Sequence, residues 1–79
     1  MNLETIISEF GKATAEILPE LEEHQFTAGD SLRDLGANSV DRSEIIMMVL
    51  EELELNVSLI EFAKAANIGE LAEIIQKHA

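Results

Sequence analysis

The sequence predicts an all-α fold, a small four-helix bundle that forms a single domain over residues 1–79. Apolar residues recur at steps of three and four in several segments, which is the period of an amphipathic helix. No segment shows the apolar–polar alternation of a half-buried strand. With 47% hydrophobic residues in 79 positions, the chain can bury one core without metals or disulfides.

The first helix is predicted over about residues 2–18, where an apolar stripe precedes a proline. The stripe consists of Leu3, Ile6, Ile7, Phe10, Ala13 and Ile17. Pro19 ends the helix because proline has no N–H to donate and restricts the residue before it. The stretch Glu20–Ala37 is then predicted to be a long loop, since it contains turn-forming residues such as Gly29 and Asp30. Four apolar side chains are expected to anchor this loop to the core: Leu21, Phe26, Leu32 and Leu35.

Three further helices are predicted after this loop. The second runs from about Ser39 to Leu53 and buries a stripe at helical spacing, namely Ile45, Ile46, Val49 and Leu53. Its remaining apolar residues, among them Val40, Met47, Met48 and Leu50, exceed what one buried face requires. A short third helix is predicted near Leu59–Ala66. A fourth follows from about Gly69 to Lys77 and buries Leu71, Ile74 and Ile75.

The stretch Leu32–Asp41 places a serine after a glycine-containing loop and before an apolar helical segment. Ser39 is expected where the second helix begins, beside backbone N–H groups that have no partner inside the helix. The positive end of the helix dipole lies there too, so the position favours a covalently attached phosphate. The simpler alternative is that Ser39 or Asn38 only caps the helix, since both residue types are preferred at caps. The two interpretations are compatible, because a capping serine can also carry a phosphodiester.

This stretch resembles the phosphopantetheine attachment site of acyl carrier proteins, whose pattern is Leu-x-x-Leu-Gly-x-Asp-Ser-Leu. Leu32, Leu35, Gly36 and Ser39 match the pattern, while Asn38 replaces the usual Asp and Val40 the usual Leu or Ile. The resemblance covers nearly the whole chain, because that family has a four-helix bundle with a long first loop and a short third helix. It implies that a phosphopantetheinyl transferase, using magnesium and coenzyme A, attaches 4′-phosphopantetheine to Ser39. The thiol of this arm would hold acyl groups as thioesters.

The resemblance also implies a carrier that performs no catalysis itself. Its partners would include an acyltransferase, a ketosynthase or a hydroxymethylglutaryl-synthase-like (HMG-synthase-like) enzyme. The candidate recognition residues are Val40, Asp41, Glu44, Met47 and Glu51 on the second helix, with Ile60 and Phe62 on the third. Met and Val offer adaptable apolar contact and Glu can pair with basic residues. Alternatively, the glutamates form an ordinary solvated face, and Met47 or Phe62 belongs to the core.

Departures from the common pattern indicate a subtype. Carriers of fatty acid synthesis have a third helix rich in Asp and Glu, whereas Leu59–Ala66 is apolar with one acid and one base. The run Gly36–Arg42 followed by Ile46–Met48 resembles discrete polyketide carriers instead. It is similar in particular to donor carriers of β-branching cassettes, which present acetyl or malonyl groups to an HMG-synthase-like enzyme. A fatty acid or other acyl carrier is one alternative, and an unmodified acidic adaptor protein is an alternative from another class.

Composition argues against several other functions. Sixteen acidic residues against five basic ones give a formal net charge of −11, so no nucleic acid partner is expected. No metal site is expected either: there are no cysteines, His24 and His78 lack ligand spacing, and Leu35 occupies the position where a calcium loop starting at Asp30 needs glycine. Without a membrane-spanning run or a signal peptide, the protein is predicted to be cytoplasmic with no membrane partner. It is also expected to be a monomer.

Overall fold

A computed structural model describes all residues, Met1–Ala79, and is entirely helical. Three α-helices, α1 (Leu3–Ile17), α2 (Ser39–Glu52) and α3 (Ile68–His78), are joined by segments that include short 3₁₀ turns at Pro19–Leu21 and Leu59–Phe62. The all-α prediction is confirmed, and the predicted α-helix ends are within one residue of those observed. None of the helices is long and apolar enough to span a bilayer.

α1 begins and ends where the sequence predicts. The Asn2 side chain accepts a hydrogen bond from the Thr5 N–H at 2.8 Å, so it caps the helix. Leu18 leaves the helical conformation immediately before Pro19. The predicted stripe turns inward, with Ile6 and Phe10 fully buried and Ala13 nearly so. The buried Thr14 hydroxyl donates to the Phe10 carbonyl oxygen at 2.6 Å, which satisfies it inside the helix.

The core forms where α1 packs against both α2 and α3. α2 contributes Ile45, Ile46 and Val49 as predicted, but its fourth core residue is Leu50. The predicted Leu53 is only half-buried, because it is the C-cap of the helix. The full set of buried hydrophobic residues is Ile6, Phe10, Ala13, Leu32, Ala37, Ile45, Ile46, Val49, Leu50, Phe62, Ile68, Leu71, Ala72 and Ile75.

The long loop between α1 and α2 is fastened at several points. Leu32 is buried in the core as predicted, and Phe26 packs against its edge, whereas Leu21 and Leu35 are half-buried. The loop also pairs with the start of α3: the Ile68 N–H donates to the Asp30 carbonyl oxygen and the Gly69 N–H to the Ala28 carbonyl oxygen, each at 2.8 Å.

Gly69 allows this close approach between the loop and α3. A Cβ at that position would lie 2.9 Å from the Ala28 Cβ and 3.0 Å from the Ala28 carbonyl oxygen. These two backbone hydrogen bonds hold the loop against the start of α3.

The third predicted helix, Leu59–Ala66, is present only as the 3₁₀ turn Leu59–Phe62, so the predicted count of four α-helices is not confirmed. Ser58 forms no side-chain cap there, and Phe62 is the only buried residue of the turn. Asn67 has an extended backbone because it caps α3. Only the few residues between Ser58 and Asn67 are then left to form a helix, which is too short for a stable α-helix. One anchoring side chain and no cap favour a short 3₁₀ turn over an α-helix.

Candidate functional site

The candidate site begins with the turn that precedes α2. Gly36 has φ of +107°, a backbone conformation that side chains disfavour. The next residue, Ala37, is buried and its N–H donates to the Leu32 carbonyl oxygen at 3.0 Å. This turn directs the chain outward, so that Asn38 and Ser39 are both exposed at the start of the helix.

Asn38 is the residue that caps α2. Its side-chain oxygen accepts the Asp41 N–H at 2.8 Å, and its own N–H donates to the Asp41 carboxylate at 3.2 Å. This reciprocal pair is a capping box. Of the two candidate caps in the sequence, Asn38 is therefore the cap, and Ser39 follows as the first helical residue. Its hydroxyl is not needed to cap the helix.

The position of Ser39 suits a phosphate ester. The N–H groups of Ser39 and Val40 have no backbone acceptor, because they belong to the first turn of α2. The positive end of the helix dipole is at the same place. An exposed hydroxyl beside two unpaired donors fits a covalently bound phosphopantetheine group, whose phosphodiester carries one negative charge.

Most of the predicted recognition residues lie at the surface, and those on α2 follow Ser39 along the helix. Val40 is 67% exposed, Met47 48% and Ile60 76%, so these three large apolar side chains lie outside the core. Glu44 and Glu51 are exposed on the same helix. These five residues, Val40, Glu44, Met47, Glu51 and Ile60, are called the docking face below. Asp41 is half-buried and its carboxylate is engaged in the capping box.

Phe62 was a candidate recognition residue, and the structure favours the alternative that it belongs to the core. It is 5% exposed and belongs to the core, because the bulkiest side chain of the 3₁₀ turn is the one that anchors the turn. Leu59, which sequence reasoning missed, is 40% exposed instead. A 3₁₀-helix has three residues per turn, so Leu59 and Phe62 lie on the same side of it. Because Leu59 is partly exposed, it lies at the edge of this side, whereas Phe62 is buried in the core.

Ser39 also lines a cleft that the sequence did not predict. The cleft has a volume of about 550 Å³ and lies between the start of α2, the preceding turn and the Leu59–Phe62 segment. Its charged lining residues are Arg33, Asp34 and Arg42. Arg42 is half-buried, and its Nη1 donates to the Ala37 carbonyl oxygen at 2.8 Å. The guanidinium thus connects α2 to the turn that presents Ser39.

The two histidines are far from Ser39 in the sequence and pair with carboxylates. His24 Nε2 is 3.0 Å from an Asp30 carboxylate oxygen, and His78 Nε2 is 3.8 Å from Glu61. Burial tends to raise the pKa of Asp30. Hydrogen bonds from the Thr27 N–H and from His24, together with the charge of His24, outweigh burial and hold that pKa below its ordinary value. This cluster supports the loop and has no part in the site at Ser39.

Comparison with known proteins gives three similarities. The family model described as a phosphopantetheine attachment site matches residues 8–75. The polyketide biosynthesis acyl-carrier-protein AcpK of Bacillus subtilis (strain 168) is 57% identical over 60 residues, which cover 76% of this chain and 73% of that protein. A chain in the crystal structure of the curacin biosynthetic pathway HMG synthase in complex with acetyl donor-ACP is 51% identical. It aligns with a TM-score of 0.89 over 95% of this chain and 96% of that one.

The chain therefore belongs to the family of carrier proteins that have a phosphopantetheine attachment site. It is an acyl carrier and not a catalyst, its cofactor is covalently attached 4′-phosphopantetheine, and its partners are enzymes.

Proposed function

Within this family, we propose that Ser39 carries the phosphopantetheine arm and that the protein supplies acetyl groups to an HMG-synthase-like enzyme in polyketide β-branching. One observation supports the pathway assignment most strongly. The similarity to the chain from the complex of HMG synthase with acetyl donor-ACP extends over 95% of this chain at 51% identity. The AcpK similarity supports polyketide biosynthesis independently.

Attachment at Ser39 is supported by the local geometry. The hydroxyl is exposed, the adjacent N–H groups lack acceptors, and the helix dipole favours an anion. A phosphopantetheinyl transferase would supply the catalytic groups, and this chain would supply the accessible nucleophile. Once bound, the arm provides a thiol that holds the acetyl group as a thioester and reaches into the partner's active site.

Recognition by the synthase is proposed to use the docking face. Val40 and Met47 lie on the same helix as Ser39, and Ile60 extends the apolar surface onto the neighbouring 3₁₀ turn. Glu44 and Glu51 add negative charge, so the matching surface on the partner should be apolar with basic residues around it. Leu59, which is 40% exposed, is proposed as an additional apolar contact. Asp41 is proposed to act through the capping box.

The attachment test uses coenzyme A and a broad-specificity phosphopantetheinyl transferase. Intact-protein mass spectrometry should show the addition of one phosphopantetheinyl unit to the wild type and to Ser43→Ala, but none to Ser39→Ala. Ser43 is a suitable control because it lines the same cleft one turn further along α2. Modification of Ser39→Ala would contradict the assignment, provided that circular dichroism shows the helix content of the wild type. Failure of the wild type to gain mass would instead favour the unmodified adaptor.

The donor test follows acetyl transfer by mass spectrometry. The acetyl-loaded protein is mixed with an HMG-synthase-like enzyme, and a fatty acid synthesis carrier loaded with acetyl is the reference. We expect faster acylation of the synthase by this protein. Equal rates would rule out the β-branching assignment and leave a general acyl carrier, as in fatty acid or another acyl pathway.

We further propose that residues 1–79 act as a single monomeric domain in the cytoplasm. One core contains residues from every helix, and no second cluster of buried residues competes with it. Sedimentation of the loaded protein should give one monomeric species. A concentration-dependent dimer would instead indicate that the exposed apolar residues pair two copies of the chain.

A further inference from the structure

Arg42 is an unusual cation in this protein. The chain has sixteen acidic residues and five basic ones, yet the guanidinium of Arg42 forms no ion pair. Its single side-chain hydrogen bond is to the neutral carbonyl oxygen of Ala37 at 2.8 Å. A half-buried guanidinium without a carboxylate partner keeps its charge available to another anion.

The cleft beside Ser39 has an unusual charge for this protein. Arg42 and Arg33, two of the five basic residues, line this cleft of about 550 Å³, and Asp34 is the only acidic residue there. The cleft therefore has a net positive lining in a protein with a formal net charge of −11. Ser39 lines the same cleft. A local excess of positive charge at a serine suits an anion attached to that serine.

The placement of Arg42 on α2 brings its side chain toward Ser39. It lies three residues after Ser39, and helical side chains lean toward the N-terminus of their helix. Its bond to Ala37, two residues before Ser39, shows that the guanidinium reaches past the beginning of the helix. A guanidinium has five N–H donors, so the bond to Ala37 leaves others free for an oxyanion.

We propose that Arg42 is a positioning residue that hydrogen-bonds the phosphodiester of the arm. It holds the first part of the arm on the cleft side of α2, while its bond to Ala37 keeps the presenting turn fixed. The inference rests on the proposed attachment at Ser39. Arg33 also lines the cleft, but it is exposed and has no side-chain hydrogen bond or ion pair, so it lacks this fixed geometry and contributes charge only.

The decisive measurement compares the unmodified and the phosphopantetheinylated wild type by NMR. Loading is first verified by mass, so failure to load rejects the attachment proposal and not the role of Arg42. In the loaded protein the Nε–H resonance of Arg42 should shift and its exchange with water should slow roughly tenfold, because a charge-assisted hydrogen bond must open first. Arg33 should show a smaller change. An Arg42 resonance that is unchanged on loading would overturn the proposal and leave Arg42 with a structural role alone.

Matched variants test the same inference from the phosphate side. Arg42→Gln and Arg33→Gln each remove one charge from the cleft lining. Only Arg42→Gln should move the ³¹P resonance of the phosphodiester, and only Arg42→Gln should lower kcat for acetyl transfer with KM nearly unchanged, since the docking face is intact. In Arg42→Lys the ³¹P resonance should lie between its positions in the wild type and in Arg42→Gln, because lysine keeps the positive charge. Equal effects of the two Gln variants would contradict positioning by Arg42 and indicate a general effect of charge.

Discussion

α1 and α2 are nearly equal in length, at 15 and 14 residues, but they use their apolar residues differently. In α1 no large hydrophobic side chain is exposed, and the outer positions are polar, as in Glu4, Ser8 and Lys12. In α2, Val40 and Met47 are exposed although the helix already buries four other apolar residues. The apolar content of α1 is therefore accounted for by folding, whereas that of α2 exceeds what the fold requires. This excess begins at Val40, directly after Ser39, the proposed attachment site of the arm.

The largest expected effect tests the division between buried and exposed apolar side chains. Phe10→Ala in α1 should lower the free energy of unfolding by about 3–5 kcal/mol, because a fully buried aromatic ring leaves a cavity. Met47→Ala in α2 should change it by only about 0.5 kcal/mol. Urea denaturation followed by circular dichroism measures both. A large loss of stability in Met47→Ala would mean that α2, like α1, uses all its apolar residues in the fold.

The second effect concerns the docking face itself. Met47→Glu should lower kcat/KM for acetyl transfer to the synthase by roughly tenfold to 150-fold, because an apolar side chain buried at an interface contributes about 1.5–3 kcal/mol. Glu51→Gln should lower it by less than about fivefold, since an exposed ion pair contributes about 1 kcal/mol or less. Both variants should remain folded and accept the arm at Ser39. Equal losses would show that charge, and not apolar contact, dominates docking.

α2 also differs from α1 at its ends, because both residues of the chain with positive φ flank it. Gly36→Ala should lower the free energy of unfolding by about 1–2 kcal/mol, since a side chain at φ of +107° is strained. A Cβ there would meet no atom within 4 Å, so the cost comes from the backbone alone. Gly29→Ala, at a glycine with ordinary φ and with open surroundings, is the control. If both variants lose equal stability, backbone strain is not the cause.

At the C-terminal end of α2, a substitution is expected to raise the free energy of unfolding and not to lower it. Glu54 has φ of 55°, and the Leu55 N–H donates to the Leu50 carbonyl oxygen at 2.9 Å, as in a Schellman motif that normally has glycine at this position. Glu54→Gly should raise the free energy of unfolding by about 1 kcal/mol. Glu52→Gly, at the last residue of the helix, should instead lower it, by less than about 1 kcal/mol. Thermal denaturation of the two variants gives the comparison. Destabilisation by Glu54→Gly would mean that the side chain makes a contact worth more than the strain.

The last comparison concerns the loop that joins the two helices, whose expected contribution to stability depends on pH. The pKa of Asp30 is lower in the folded state, so its ionised form adds stability that is present above the unfolded-state pKa and is lost as the pH falls through the folded-state pKa. Asp30→Asn should therefore cost about 1 kcal/mol at pH 7, where its hydrogen bonds to Thr27 and His24 are charge-assisted.

As the pH falls below the unfolded-state pKa and then through the lower folded-state pKa, the Asp30 carboxyl becomes protonated, and the difference between the wild type and Asp30→Asn should shrink. Urea denaturation at pH 7 and at a series of lower pH values measures that difference. A difference that is independent of pH would show that the hydrogen bonds of Asp30 stabilise the fold without any contribution from the charge of its carboxylate.

The sequence by itself determined the three long α-helices and the position of Ser39. These features depend on local physics: the spacing of apolar residues, the break at Pro19, the caps at Asn2 and Asn67, and the match of Leu32–Ser39 to a known attachment pattern. Each is set by residues within a few positions of one another, so the order of residues contains the information. The same local pattern allowed either Asn38 or Ser39 to cap α2, and only the backbone geometry selected Asn38.

The tertiary structure decided the features that depend on residues distant in sequence. The choice of Phe62 over Leu59 and of Leu50 over Leu53 as core residues depends on where α1 and α3 pack, and helical spacing cannot supply that information. The short 3₁₀ turn forms in place of a third α-helix because Phe62 is its only buried side chain and because the segment is fixed at both ends, by α2 and by α3. The cleft that brings Arg33 and Arg42 to the same side as Ser39 exists only once the loop, α2 and the Leu59–Phe62 segment are in contact. Burial and clefts are properties of surfaces in contact, and the pairing of those surfaces is fixed only when the whole chain has folded.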